Sequence, residues 1–180
     1  RLTFDEGLLL QLGMAILRAR VARERGLSMS PRGDLVARLR ASLPFKLTGA
    51  QERVWEELRR DMAAPHPMHR LLQGDVGSGK TVVAALGVLT AIESGFQAAV
   101  MAPTEILAEQ HFMTFRQLLE PLGVELTLLT SSLKAKERAD RRAGLASGST
   151  ACVVGTHALV QEGVDFRRLG LVVVDEQHRF

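Results

Sequence analysis

Apolar residues along this chain fall into two textures, and the change comes near Phe45. Before it, Leu8, Leu9, Leu12, Ile16 and Leu17 recur at helical intervals behind Thr3-Phe4-Asp5-Glu6, which has capping-box spacing, and Gly26 offers a stop. A long amphipathic helix is predicted there. Ser28-Met29-Ser30-Pro31 breaks it, and a shorter helix is predicted from Asp34 to Leu43, ended by Pro44. Residues 1 to 43 thus form a predicted helical arm.

From Phe45 onward, short unbroken apolar runs alternate with helix-period stretches. Helices are predicted over 49–62, 80–93, 105–119 and 134–146, with a short one near 157–161, and strands over 70–73, 98–102, 125–130, 151–155 and 171–175. Such alternation predicts an α/β fold, a parallel sheet flanked by helices with right-handed crossovers, whose ligands gather at the carboxyl ends of the strands. The last run, Leu171-Val172-Val173-Val174, follows Gly170 and has the continuous apolar character of a strand buried on both faces.

Composition narrows this only slightly. The 180 residues suffice for one substantial core and a helical appendage, and 46% hydrophobic with 24% charged residues is ordinary for a globular protein. No apolar run approaches the roughly 20 residues that cross a bilayer, so no membrane partner is expected. No charged leader opens the chain and Cys152 has no second cysteine to pair with, so a reducing cytoplasm is expected. Cys152 lies in the apolar run from Ala151 to Val154 and is expected to be a buried small hydrophobe. Net charge is +3, and Arg18, Arg20, Arg23, Arg25, Arg32, Arg38 and Arg40 face only Glu24 and Asp34 in their stretch. That basic quarter suits either a phosphate backbone or a solvated helix face whose arginine stems cover apolar surface.

Chemistry enters at Gly74-Asp75-Val76-Gly77-Ser78-Gly79-Lys80-Thr81, which fits the phosphate-cradling pattern G-x-x-x-x-G-K-[ST] ahead of a predicted helix. Gly74, Gly77 and Gly79 permit positive φ and leave room for oxygens to approach the backbone, so successive N–H groups can line one anion site. A helix starting near Lys80 adds the positive end of its dipole; Lys80 supplies a point charge near the β- and γ-phosphates, and the Thr81 hydroxyl can ligate Mg²⁺. A nucleoside triphosphate with Mg²⁺ is therefore the expected ligand. The last predicted strand delivers Asp175 and Glu176 to the same end of the sheet. Asp175 suits the Mg²⁺ that Thr81 shares, and Glu176 suits orienting or deprotonating the attacking water.

Two further motifs start where predicted strands stop: Ala102-Pro103-Thr104-Glu105-Ile106-Leu107-Ala108-Glu109-Gln110-His111 and Gly155-Thr156-His157-Ala158-Leu159. Their N–H groups and hydroxyls suit a sugar-phosphate track, although Thr104 and Thr156 equally suit helix N-caps. Gln51 has two readings as well. It stands at capping-box spacing from Thr48, and its amide could instead grip both polar edges of an adenine with Phe45 against the base. His66 and His69 have metal-ligand spacing without further ligands and read as a surface loop. With 4% aromatic residues there is no base-stacking platform, so any nucleic acid would be held by its backbone.

The ordered set of Phe45 to Gln51, GDVGSGKT, APTEILAEQH, GTHAL and DEQHRF resembles the superfamily 2 DExH-box helicases, and among them the bacterial ATP-dependent DNA helicases that remodel stalled replication forks. The resemblance spans nearly the whole chain. It implies a RecA-like P-loop NTPase sheet, with 1–43 as a linker arm and 44–180 as a first motor lobe that stops after the DExH box. It makes Phe45 and Gln51 the adenine reader, Gly77 to Thr81 the phosphate loop, and Asp175, Glu176, Gln177 and His178 the DExH box, with Gln177 at the nucleotide and His178 in the catalytic group. Pro103, Thr104, Gly155, Thr156 and His157 would face DNA. Implied partners are double-stranded and branched DNA, including stalled forks and Holliday junctions, and further domains of one polypeptide: a wedge domain and a second motor lobe carrying an arginine finger. Without that arginine the chain alone is expected to hydrolyse ATP poorly. The strand that normally separates the glycine-loop strand from the Asp175 strand would follow Phe180, so the sheet is expected to have a gap there. A bacterial cytoplasm, at the nucleoid, is the implied location. A transcription-repair-coupling translocase shares the GTHAL-like and DE-x-H blocks; a P-loop phosphotransferase that never meets DNA would need neither rim motif, and a third reading is a catalytically silent module whose arm docks on neighbouring domains.

Overall fold

The computed structural model describes residues 7–8, 11–13, 25–75 and 77–177. Its helices are α1 (Leu35–Ser42), α2 (Gly49–Ala63), α3 (Lys80–Glu93), α4 (Glu105–Leu119) and α5 (Ala135–Ser147). Its strands are β1 (Gln97–Met101), β2 (Leu126–Leu129), β3 (Cys152–Gly155) and β4 (Leu169–Val174), with 3₁₀ turns at Glu120–Leu122 and His157–Val160. All strand pairs are parallel, in the order β2-β3-β1-β4. Of the predicted first helix, residues 7, 8 and 11–13 are helical; its cap at Thr3 to Glu6, with Ile16 and Leu17, lies outside the described residues.

Local chemistry explains most element boundaries. α2 starts in a reciprocal capping box, with the Gln51 N–H donating to Thr48 Oγ1 at 3.2 Å and the Thr48 N–H donating to Gln51 Oε1 at 2.8 Å. α1 has no side-chain cap of its own; the Glu93 carboxylate, from the far end of α3, accepts the Leu35 N–H and pins the two helices together. α3 is buried without a break from Ala85 to Ala91, as a helix apolar all round should be.

The core has two unequal layers. Leu39, Trp55, Leu86, Leu89, Phe115 and Leu119 from α1 to α4 cover one face of the sheet, meeting Val100, Cys152 and Val154. Leu145 of α5 and Leu159 cover the other, over Ala99, Leu129 and Val153. β3 alternates its side chains between these layers and is buried throughout. The buried amide of Gln97 ties the base of the sheet together, donating to the Leu145 and Thr150 carbonyls at 2.9 and 2.8 Å and accepting the Arg168 N–H at 3.0 Å.

Two expectations fail. Residues 70–73 form no strand among the described residues: no backbone hydrogen bond joins them to the sheet, which agrees with the gap expected between this run and the Asp175 strand. Nor is β4 buried on both faces. As the edge of the described sheet it turns Leu171 and Val173 into the core but leaves Val172 47% and Val174 41% exposed, because no described helix covers that side of it.

A short turn at Ser94 to Phe96 reverses the chain from α3 into β1, so α3 runs antiparallel to the strands. Its first residue, Lys80, therefore lies toward the rim where β1 and β4 end. No described helix is long and apolar enough to cross a membrane.

Candidate nucleotide-binding site

The glycine loop enters α3 through two left-handed residues, Gly77 at φ 81° and Gly79 at φ 80°, with Gly79 as the N-cap. The left-handed backbone at Gly79 favours glycine, and a Cβ there would also displace the Gln51 amide. Gly77 faces open space, which keeps its backbone approachable. Gly74 does not share the positive φ expected of it; a Cβ there would instead crowd Ser78 Oγ at 2.8 Å. Lys80 Nζ donates to the Gly74 and Asp75 carbonyls at 2.8 and 2.9 Å, so the loop folds around its own ammonium group. Val76 lies outside the described residues.

Gln51 serves two purposes at once. While its oxygen and N–H complete the helix cap, its Nε2 donates to the Ser78 carbonyl at 2.8 Å, docking the loop on the start of α2. Phe45 is 50% exposed.

Asp175 follows β4. Its N–H donates to the Met101 carbonyl at 2.9 Å, and its Oδ2 lies 2.7 Å from His111 Nε2. A carboxylate only accepts, so the imidazole nitrogen donates. Glu176 adopts φ 51°, the one positive φ among the described non-glycine residues, which is the kind of backbone strain that clusters at working sites. Gln177 is exposed, and His178 lies outside the described residues. Among the described residues no group of three or more His, Cys, Asp or Glu could hold a metal by itself. The hard oxygen donors Thr81 and Asp175 fit Mg²⁺ in its usual manner, through one or two protein ligands with waters and substrate phosphates filling the rest.

The rim motifs are neighbours. Met101 pairs with Gly155, and the Ala102 N–H donates to the Gly155 carbonyl at 2.9 Å, which aligns the segments after β1 and β3. Thr104 Oγ1 accepts the Leu107 N–H at 3.3 Å and remains exposed; Thr156 Oγ1 accepts the Ala158 N–H at 3.4 Å and is buried. Gly155 is buried, Pro103 half-buried and His157 exposed. In the basic quarter, Arg40 pairs with Glu52 and Arg38 lies 3.9 Å from Asp34.

Sequence reasoning missed two members of this rim. Glu105 accepts from Ser131 Oγ at 2.8 Å and the Ser132 N–H at 3.0 Å, and these bonds, that from the Ser131 hydroxyl foremost, hold its carboxyl below the ordinary value. His111 was legible in principle. It falls on the stripe Ala108, His111, Phe115 and Leu119, which is the inward face of α4, where a histidine needs a partner.

A family model described as DEAD/DEAH box helicase matches residues 48–180, and the chain belongs to that family. Within it, the chain is similar to proteins named ATP-dependent DNA helicase RecG: 52% identical over 180 residues in Escherichia coli O157:H7 and 49% over 181 residues in Synechocystis sp.. All of this chain is covered in both matches, against 26% and 22% of those relatives, so it spans about a quarter of their length. A solved structure of RecG bound to a three-way DNA junction superposes with a TM-score of 0.92 at 45% identity, covering 98% of this chain and 24% of that one. A hypothetical ATP-dependent RNA helicase from Sulfolobus tokodaii, 20% identical with a TM-score of 0.60 over 81% of this chain and 42% of its own, shares the fold. The RecA-like helicase fold is thus the fold of this chain.

Proposed function

We propose that residues 1–43 are the linker arm and residues 44–180 the first motor lobe of an ATP-dependent DNA helicase that remodels branched DNA, such as stalled forks and Holliday junctions. It would work in the bacterial cytoplasm, at the nucleoid, with a wedge domain and a second motor lobe of the same polypeptide. The supporting observation is the Gln51-docked glycine loop leading into α3, in a chain that superposes on RecG with a TM-score of 0.92.

In this reading ATP lies in the loop from Gly74 to Thr81, its adenine against Phe45 and Gln51. Lys80 exchanges the Gly74 and Asp75 carbonyls for phosphate oxygens, a trade of like hydrogen bonds for stronger charge-assisted ones. Thr81 and Asp175 would hold Mg²⁺, which offsets phosphate charge when bound. Glu176 takes a proton from the attacking water, with Gln177 at the nucleotide and His178 in the catalytic group of the DExH box. Pro103, Thr104 and His157, with the backbone at Gly155 and Thr156, lie against a sugar-phosphate backbone, which supplies grip without reading sequence. Nucleotide-dependent closure of two lobes turns that grip into movement.

The test is ATP hydrolysis by the intact polypeptide with and without a three-way DNA junction. Junction DNA should accelerate turnover strongly, and the effect should weaken steeply with salt. An ATPase indifferent to DNA at every salt concentration contradicts the proposal.

A further inference from the structure

Asp175 is held from two directions. Its N–H bonds to the last residue of β1, and its carboxylate bonds to His111 on α4 at 2.7 Å. The same 15-residue helix begins at Thr104, its N-cap, and its first turn carries Glu105, which grips Ser131 and Ser132. One helix, seated on the core through Ala108, Phe115 and Leu119, therefore touches the segments after β1, β2 and β4. A seated helix shifts as a unit, since packed interiors transmit strain better than they absorb it.

We propose that His111 is a positioning residue that couples nucleic-acid engagement at the start of α4 to the orientation of the Asp175 carboxylate. This rests on the functional reading above, in which Thr104 faces DNA and Asp175 serves Mg²⁺. The donor at Nε2 occupies Oδ2 and fixes the plane of the carboxylate, leaving Oδ1 presented in one direction. Such outer partners of metal ligands typically change metal affinity by roughly 10- to 100-fold when removed. A phosphate backbone that moves the Thr104 end of α4 moves His111 with it, two helical turns away. Neither the backbone bond to Met101 nor the core contacts would carry that displacement to the side chain.

The test compares wild type, His111→Leu and His111→Gln in the intact polypeptide; the glutamine amide reaches about as far as Nε2 and restores a donor. Three quantities are read: the Mg²⁺ concentration for half-maximal binding of a fluorescent non-hydrolysable ATP analogue, the ratio of junction-stimulated to basal turnover, and the melting temperature. His111→Leu should raise the Mg²⁺ requirement about tenfold and lower the stimulation ratio, and His111→Gln should recover both while the two variants melt alike. A wild-type Mg²⁺ requirement and ratio in His111→Leu overturn the inference, as does a failure of His111→Gln to recover either. Wild-type protein that binds no Mg-nucleotide or ignores DNA overturns the functional reading itself, and the inference with it.

Discussion

The two sides of the nucleotide rim are built by different means. On the carboxylate side, Asp175 ends a strand laddered to β1, its N–H is fixed to Met101, its side chain to His111, and α4 is seated on the core. On the loop side, residues 67–75 join no ladder, and the loop is tied by side chains: Lys80 to the Gly74 and Asp75 carbonyls and Gln51 to the Ser78 carbonyl. Those bonds are of a kind that phosphate oxygens and an adenine can replace one for one. In the proposed site the Asp175 carboxylate is thus already held, whereas the bonds that hold the loop are ones a ligand could replace.

Charge removal on either side should have the largest effect. Lys80→Ala, which deletes the loop side's cation, should cut junction-stimulated phosphate release by about 10²- to 10³-fold or more. Glu176→Gln should cut it by about 10²- to 10⁴-fold while nucleotide affinity stays unchanged. Loss of affinity in Glu176→Gln would mean that the carboxylate side binds rather than reacts.

Stability should separate the two sides as clearly. Phe115 is 1% exposed under α4, and Phe115→Ala should cost about 3–5 kcal/mol in urea unfolding. Leu71, on the loop side, is 75% exposed, and Leu71→Ala should stay within about 0.5 kcal/mol. Equal losses would erase the contrast. Gln51→Ala removes half a capping box and the loop's dock, so it should cost about 1 kcal/mol and weaken nucleotide binding together. A stability loss with wild-type binding would leave Gln51 as a cap alone.

The smallest effect concerns acid. Glu105 is held below the ordinary carboxyl value by Ser131 and Ser132, so its contribution is present above the unfolded value near 4.3 and is lost as pH falls through the lower folded one. Glu105→Gln should flatten that part of the stability curve and leave its neutral-to-alkaline shape alone. An unchanged acid limb would show the serine bonds to be incidental.

The same contrast explains what the sequence made legible. α3 and α4 fall where their loop glycine and Thr104 cap place them, because those signals are local. The run at 70–73 joins no ladder among the described residues, as the expected gap beside it implies, because a strand is a property of two segments and its composition cannot supply the partner. Val172 and Val174 misled for a related reason: their composition matches that of buried β3, and only the missing cover distinguishes them. Gln51 reads from sequence as a helix cap or an adenine grip; the cap is present, and its Nε2 makes a bond to the Ser78 carbonyl that neither reading contained, because that partner lies 27 residues away. His111 went unassigned because its meaning depends on Asp175, 64 residues away in sequence.

The most direct test of the central claim, that the glycine loop and the strand-end carboxylates form one Mg-nucleotide site, is a crystal structure of the intact polypeptide with Mg²⁺ and a non-hydrolysable ATP analogue. The account predicts Lys80 released from the Gly74 and Asp75 carbonyls onto the phosphates, with one metal shared between the Thr81 hydroxyl and the Asp175 carboxylate. A nucleotide bound elsewhere, or a triphosphate in the loop whose metal lies beyond the reach of Asp175, would contradict it.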